Sequence, residues 1–243
     1  MATFFNLILT QPLFNTLVVL YKYVTFGDLG LAIIVLTILI NLILAPFFFK
    51  AMKNQALMQK IQPEIVKIQR EHKGNKEKQA MAMMELWKTH KVNPFSSLIL
   101  IFIQLPVLIV LYKIFIQGFS DAAFSHLYSF ISKPEVINNL FLGLINLSRP
   151  NMLIVALAVV AQYVRGRMSL PKKIAGAEET TSGRVGRQMV FVGPLLTLLI
   201  LPQLSSAVAL YWLTSTLFSI VQQKFVNKSV YGPKLTGPSQ TNS

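Results

Sequence analysis

The sequence holds no cysteine, which excludes disulfides, thiolate metal sites, a cysteine nucleophile and a cysteine-linked lipid anchor. Charge is scarce too: 13% of the 243 residues are Asp, Glu, Lys or Arg, where a soluble domain carries about 25%. The shortage falls mainly on acids, nine against twenty-three Lys and Arg. None of the long apolar runs contains an Asp or Glu, which excludes a carboxylate proton relay inside them. The three histidines, His72, His90 and His126, are scattered without metal-ligand spacing, so no metal is expected. No glycine-rich nucleotide-binding motif occurs, and no cofactor is expected. The opening Met1-Ala2-Thr3-Phe4-Phe5 lacks the basic segment and small-residue cleavage site of a signal peptide, so the chain reads as mature.

What is abundant is apolar surface, 53% of the residues, and it comes in blocks. A hydrocarbon core of about 30 Å needs about 20 apolar helical residues to cross it. Five blocks approach that length, at about 29–49, 95–116, 151–165, 189–203 and 205–224. The expected fold is an all-α integral membrane protein with five transmembrane helices. Residues 1–27 form a separate N-terminal region. Gln11, Pro12 and Asn15 interrupt its apolar character and Tyr21-Lys22-Tyr23 ends it. An amphipathic helix lying in the interface fits this pattern, with a sixth span as the alternative.

Residues 50–93 are of the opposite kind, long and charged. Met58, Ile61, Ile65 and Ile68 repeat at helical spacing before a Gly74-Asn75 turn signal. Met81, Met83, Met84 and Trp87 follow it. A helical hairpin in water is expected, with Pro63 at a break or a helix start. The spans and this hairpin make up a core of residues 28–226, and 227–243 form a basic tail.

Charge fixes the expected orientation. The hairpin with Lys50 carries ten Lys and Arg against four Glu, the 165–187 linker is +4, and the tail with Lys224 is +3. The remaining loops hold about one of the fourteen net charges. Five spans put all the basic segments on one side, and that side is the cytoplasm. The N-terminus is then outside and the C-terminus inside.

Polar groups inside spans are costly unless they meet each other or water. Thr37 and Asn41 lie one turn apart in the first span, and Gln104 sits in mid-second span. On the last span Trp212, Ser215, Thr216, Ser219, Gln222 and Gln223 recur at three- and four-residue intervals, a stripe on one face. Counting a rise of ~1.5 Å per residue, Asn41, Gln104 and Ser215 all lie roughly 12–14 Å from the cytoplasmic side. Such a level is either hydrogen-bonded glue between helices or a hydrated cavity open to the cytoplasm.

Short motifs then accumulate in a fixed order. Gln11-Pro12-Leu13-Phe14 and Gly30-Leu31-Ala32-Ile33-Ile34 precede Leu44-Ala45-Pro46 and Gln62-Pro63-Glu64. Val92-Asn93-Pro94, Gln104-Leu105-Pro106, Phe141-Leu142-Gly143 and Asn146-Leu147-Ser148 follow. Leu210-Tyr211-Trp212 and Ile220-Val221-Gln222-Gln223 complete the series. In order and spacing, over about residues 10–226, the chain resembles the YidC/Oxa/Alb membrane insertases in their short form, without a large outer domain. The resemblance implies five core helices around a hydrophilic groove open to the cytoplasm and to lipid. It implies a non-enzymatic insertase and chaperone of the plasma (inner) membrane that moves short hydrophilic segments while hydrophobic ones partition into lipid.

The implied substrate groove comprises Thr37, Asn41, Gln104, Tyr211, Trp212, Ser215 and Ser219. Met81, Met83, Met84 and Trp87 of the hairpin are candidates for substrate or partner contact. The implied partners are nascent membrane proteins, the ribosome through the basic hairpin and tail, the Sec translocon and anionic lipids. Members typically carry an arginine where this chain has Asn41, so its groove is expected to keep polarity but lose that fixed charge. The rival reading is a small secondary transporter or channel, which predicts inverted repeats or interrupted helices. No convincing internal repeat is evident.

Overall fold

The computed structural model describes residues 6–117, 119, 121–124, 127–170, 188 and 190–231. Residue 189, most of the 166–187 linker with Lys172, Lys173, Arg184 and Arg187, and the tail beyond Tyr231 with Lys234 lie outside the described residues.

The described chain is mostly helical. Helix α1 spans Asn6–Val24, with wider π-type turns at both ends. It is followed by α2 (Leu29–Lys60), α3 (Gln62–Glu71), α4 (Lys76–Thr89), α5 (Ser96–Gln117), α6 (Met152–Met168), α7 (Val192–Ile200) and α8 (Ser206–Tyr231). Two strands of two residues each, β1 (Leu140–Phe141) and β2 (Ile145–Asn146), pair antiparallel in the loop before α6. Among the described residues, α1 and α2 are long and apolar enough to cross a membrane. The apolar stretch Val192–Gln203 of α7 and its following turn is shorter, 12 residues.

Helix α2 is the longest element. Its 32 residues extend about 48 Å, well past a ~30 Å hydrocarbon core. It runs through Pro46 and past Lys50 without a break, so the apolar block and the start of the charged segment form one helix. The chain bends at Ile61, and Pro63 falls in the first turn of α3, where its missing N–H is not needed. Asn75 then caps α4, its side chain accepting from the Lys78 N–H at 3.0 Å. Ile61, Ile65, Leu86 and Val92 form the hairpin's own small core, and Met58, Ile68, Met83 and Trp87 pack against it.

A larger core gathers α1, α2, α5 and α8 around Phe14, Leu17, Leu29, Leu36, Leu111 and Tyr211. A second joins α6 to α8 through Ile154, Val155, Ala158, Leu201 and Ala209. The two alanines there let the backbones approach closely, as small residues do between helices in lipid.

The two ends of the bundle are tied differently. At one end, Asn227 donates to the Met168 carbonyl at 3.0 Å, Gln59 donates to the Ser169 carbonyl, and the Tyr231 hydroxyl donates to the Ala56 carbonyl at 3.0 Å. Burial raises the pKa of that Tyr231 hydroxyl. Asn54 joins the same end to the start of α5 through Asn93 and Ser96. The C-terminal ends of α2, α6 and α8 therefore meet there, beside the hairpin.

At the other end, Asp28 does two things. Its Oδ1 caps α2 by accepting from the Leu31 N–H at 2.9 Å, and its Oδ2 accepts from the Leu142 N–H at 2.7 Å in the β-turn. Leu142 and Gly143 both have positive φ, 51° and 70°, as a tight reversal requires. Gly30 allows the turn to sit on α2: a Cβ there would stand 2.2 Å from a ring carbon of Phe141.

Large apolar side chains also cover the outside of the bundle. Ile43 is 74% exposed, and Phe102, Leu153, Val160, Leu199 and Phe225 are likewise exposed. Water would penalise so continuous an apolar exterior, whereas lipid would not.

Candidate groove in the helical bundle

Thr37 and Asn41 lie on the face of α2 turned toward α8, and both are buried. Thr37 donates to the Ile33 carbonyl of its own helix at 2.6 Å, so its polarity is satisfied locally. Asn41 donates to the Thr37 carbonyl at 2.8 Å and its Oδ1 accepts from the Ser215 hydroxyl at 3.4 Å. Gln104 of α5 donates to Ser215 Oγ at 3.3 Å and to the Tyr211 hydroxyl. Asn41, Gln104, Tyr211 and Ser215, from three helices, are thus one hydrogen-bonded cluster.

Beside this cluster lies a cavity of about 250 Å³. Gln104, Trp212, Ser215, Thr216 and Ser219 line it from α5 and α8, together with Phe48, Leu105 and Leu108. Gln162 and Arg165 line it from α6. Its lining therefore mixes hydrogen-bonding groups with the apolar side chains of Phe48, Leu105 and Leu108. The indole nitrogen of Trp212 and Oε1 of Gln222 are buried without hydrogen-bond partners. Both residues belong to the polar stripe of α8.

Interhelical side-chain hydrogen bonds in membranes contribute about 0.6 kcal/mol on average. The three that join Asn41, Gln104, Tyr211 and Ser215 would together add only about 2 kcal/mol. Stability alone is a weak reason for so many polar groups, and orphaned polar atoms subtract from it.

The structure brings Asn41, Gln104, Tyr211 and Ser215 together and sets Trp212 and Ser219 in the cavity wall. Thr37 and Tyr211 do not line the cavity, and Asn41 reaches it only through Ser215. The four hairpin residues divide. Met83 and Trp87 pack on the hairpin core, whereas Met81 and Met84 are 52% and 49% exposed.

Gln162 and Arg165 were not distinguished by the sequence pattern. An arginine at the end of an apolar block reads as a topology signal. The available clue was Gln162 one turn earlier, a second polar group on the same face of a short span. Position 41 of α2 carries no charge, and the guanidinium that lines the cavity is that of Arg165 from α6. Among the described residues no group of three or more His, Cys, Asp or Glu converges as a metal site would require.

The sequence profile of the family described as 60Kd inner membrane protein matches residues 19–233. A protein of Fusobacterium nucleatum named membrane protein insertase YidC is 32% identical over 208 residues, covering 85% of this chain and 89% of its own length. One of the same name from Clostridium tetani is 28% identical over 228 residues, covering 90% and 94%. Another, from Pelobacter propionicus, is 29% identical over 92% of this chain but only 39% of its own length.

Proposed function

The chain belongs to the 60Kd inner membrane protein family, it is a membrane protein insertase, and we propose that it inserts its substrates through the cavity between α5, α6 and α8. The observation that carries this reading is a cavity lined by six side chains of hydrogen-bonding residues and Arg165 beside apolar ones, inside a bundle whose exterior is apolar. A hydrophilic segment entering hydrocarbon leaves backbone groups unpaired at several kcal/mol each. Gln104, Gln162, Ser215, Thr216 and Ser219, with the water they hold, offer replacement partners part of the way across. The apolar side chains of Leu105 and Leu108 give a hydrophobic segment a surface to pack on as it partitions toward lipid. No covalent step is needed, because partitioning of the hydrophobic segment supplies the driving force.

In this reading α2, α5, α6, α7 and α8 are the five spans, and α1 lies along the outer interface. The end where α2, α6 and α8 meet the hairpin faces the cytoplasm. The clustering of Lys50, Lys53, Lys60, Arg165, Arg167, Lys224 and Lys228 toward that end supports the orientation. Met81 and Met84 give the hairpin an adaptable apolar surface for arriving substrate. Its basic residues, and those of the tail, suit ribosomal RNA or anionic headgroups. An association with the Sec translocon belongs to the same proposal.

The test is reconstitution. Purified protein in phospholipid vesicles is challenged with a single-span substrate carrying a short hydrophilic tail, and translocation of the tail is read by protease protection. The expected result is several-fold more protected tail than in protein-free vesicles. A smaller yield when Gln104 and Ser215 are both replaced by Leu ties the activity to the cavity. Equal yields with and without protein would contradict the proposal.

A further inference from the structure

At the end of the bundle opposite the hairpin, three side chains tie separate segments into one body. The Tyr21 hydroxyl donates to the Val136 carbonyl at 3.3 Å and accepts from the Asn138 N–H at 2.8 Å. Lys22 donates to the Ser132 hydroxyl, and Asp28 holds the Leu142 N–H. Large apolar side chains project from this body. Phe26 is 93% exposed, Leu144 83%, Phe130 80% and Val136 79%, and Leu142 is exposed beside them. Apolar surface gathered in this way marks a contact with a protein or a membrane.

Two of these tips sit on backbone that resists them. Three non-glycine residues have positive φ among the described residues, and Phe26 (50°) and Leu142 (51°) are two of them. The left-handed region crowds large side chains, and Gly or Asn takes it more readily. Neither side chain is spent on the bundle core. A turn that only reversed the chain would gain nothing from Phe or Leu there, so the side chains themselves are in use. Lysines flank them on rings. Lys22 Nζ lies 5.5 Å from the centre of the Tyr23 ring, and Lys133 Nζ 5.1 Å from that of Phe124. Such pairs suit the headgroup region, where a ring meets the acyl boundary and an ammonium meets phosphate.

We propose that Phe26, Phe130, Val136, Leu142 and Leu144 are seated in the outer leaflet, so that the loop between α5 and α6 is a lipid-inserted anchor fixing the depth of the bundle's outer end. The outer side is the one given by the orientation proposed above, and the surface is separate from the cavity between α5, α6 and α8. Its occupant is phospholipid rather than protein. The tips stand on separate turns as projecting points, which acyl chains accommodate and a protein partner could match only with a hollow for each. The same end of the bundle carries further exposed apolar residues on its spans, Ile116 at the end of α5 and Met152 and Leu153 at the start of α6. The tips thus prolong an exterior that already suits lipid.

The test attaches an environment-sensitive fluorophore to single cysteines at positions 26, 144 and, as a water-exposed control, 76. The full-length protein is reconstituted at about one copy per vesicle, with phosphatidylcholine bearing a shallow doxyl quencher or with iodide in the water. Lipid quenching at 26 and 144 is expected to exceed that at 76 about threefold, with iodide quenching lower than at 76. Position 130 decides if the label at 26 prevents folding. Phe26→Asn with Leu142→Asn keeps both turns, because asparagine adopts positive φ readily, and should weaken lipid quenching at 144 about twofold. Quenching at 26 and 144 that matches 76 in both solvents would place the tips in water and overturn the proposal. Shielding from iodide and lipid quencher alike would overturn it too, by assigning the surface to a protein contact. Lipid quenching at 144 unchanged by the asparagine pair would overturn the anchoring role.

Discussion

At the residue scale, single side chains link parts of the chain that are far apart in sequence. Asp28 both caps α2 and holds the turn at Leu142, 114 residues away. An N-cap contributes about 1 kcal/mol, and a charge-assisted bond to a backbone N–H adds a comparable amount. Asp28→Ala should therefore cost about 2–3 kcal/mol, read as a lower thermal unfolding midpoint in detergent. Asp28→Asn, which keeps an oxygen for the cap, should cost less. Gly30 tests the same junction from the other side. Gly30→Ala drives a methyl into the Phe141 ring, and overpacking of this kind costs typically 1–3 kcal/mol. Adding Phe141→Ala should recover part of the loss, because the ring is what the methyl strikes. If the double variant unfolds at the sum of the two single losses, the close approach of α2 to the turn is not the cause.

At this scale the sequence was legible only where chemistry and depth coincide. Asn41, Gln104 and Ser215 could be assigned one level by counting residues, and in the structure Ser215 bridges the other two. The tie between Asp28 and Leu142 was not legible, since nothing in the local pattern pairs a cap with a distant turn. Arg165 was hidden for another reason. A basic residue at a span's end has a sufficient explanation in topology, so its place in the cavity lining has no separate signal.

At the element scale, the hairpin is a small structure standing outside the bundle on its own core. Leu86 is its most central residue from α4, packed with Ile61, Ile65 and Val92. Leu86→Ala removes that packing at about 2–5 kcal/mol. Such a loss exceeds what so small a core can spare, so the arms should separate while the bundle persists. Limited proteolysis should then cut between 62 and 89 with α6 (Met152–Met168) and α8 (Ser206–Tyr231) still protected. Met81→Ser and Met84→Ser touch only exposed surface. They should leave the protease pattern unchanged and lower crosslinking to a nascent substrate. Equal crosslinking in wild type and the double serine variant would remove these methionines from the substrate path. Helical periodicity located α3 and α4 but did not show that the apolar block and the charged segment after it are joined in one unbroken helix. Helix α2 continues through Lys50 to Lys60, because good helix formers such as Ala51, Met52, Gln55, Ala56, Leu57 and Met58 extend an existing helix readily.

At the scale of the whole molecule, the account joins orientation to function. The basic ends of α2, α6 and α8 converge, and the 131–149 segment lies with the opposite ends of α2 and α8, held through Leu142, Leu147 and Arg149. On the cysteine-free background, Lys76→Cys should react with an impermeant thiol reagent only from the cytoplasmic side, and Lys133→Cys only from outside. Fold class was legible at this scale because blocks of apolar sequence have few other uses. The number of spans was harder to read. Val192–Gln203 is shorter than a bilayer needs, and α1 is long enough to compete for the role of a span.

The central claim is that water enters the bundle between α5, α6 and α8. The most direct measurement places single cysteines at Gln104, Ser215 and the exposed Leu199 of α7, and exposes the protein in native vesicles to an impermeant thiol reagent from the cytoplasmic side. The account predicts labelling at 104 and 215, slower than at 76 but complete, with 199 protected. Protection at both 104 and 215, in protein that still labels at 76, would mean that the cluster is dry helix packing and would contradict the account.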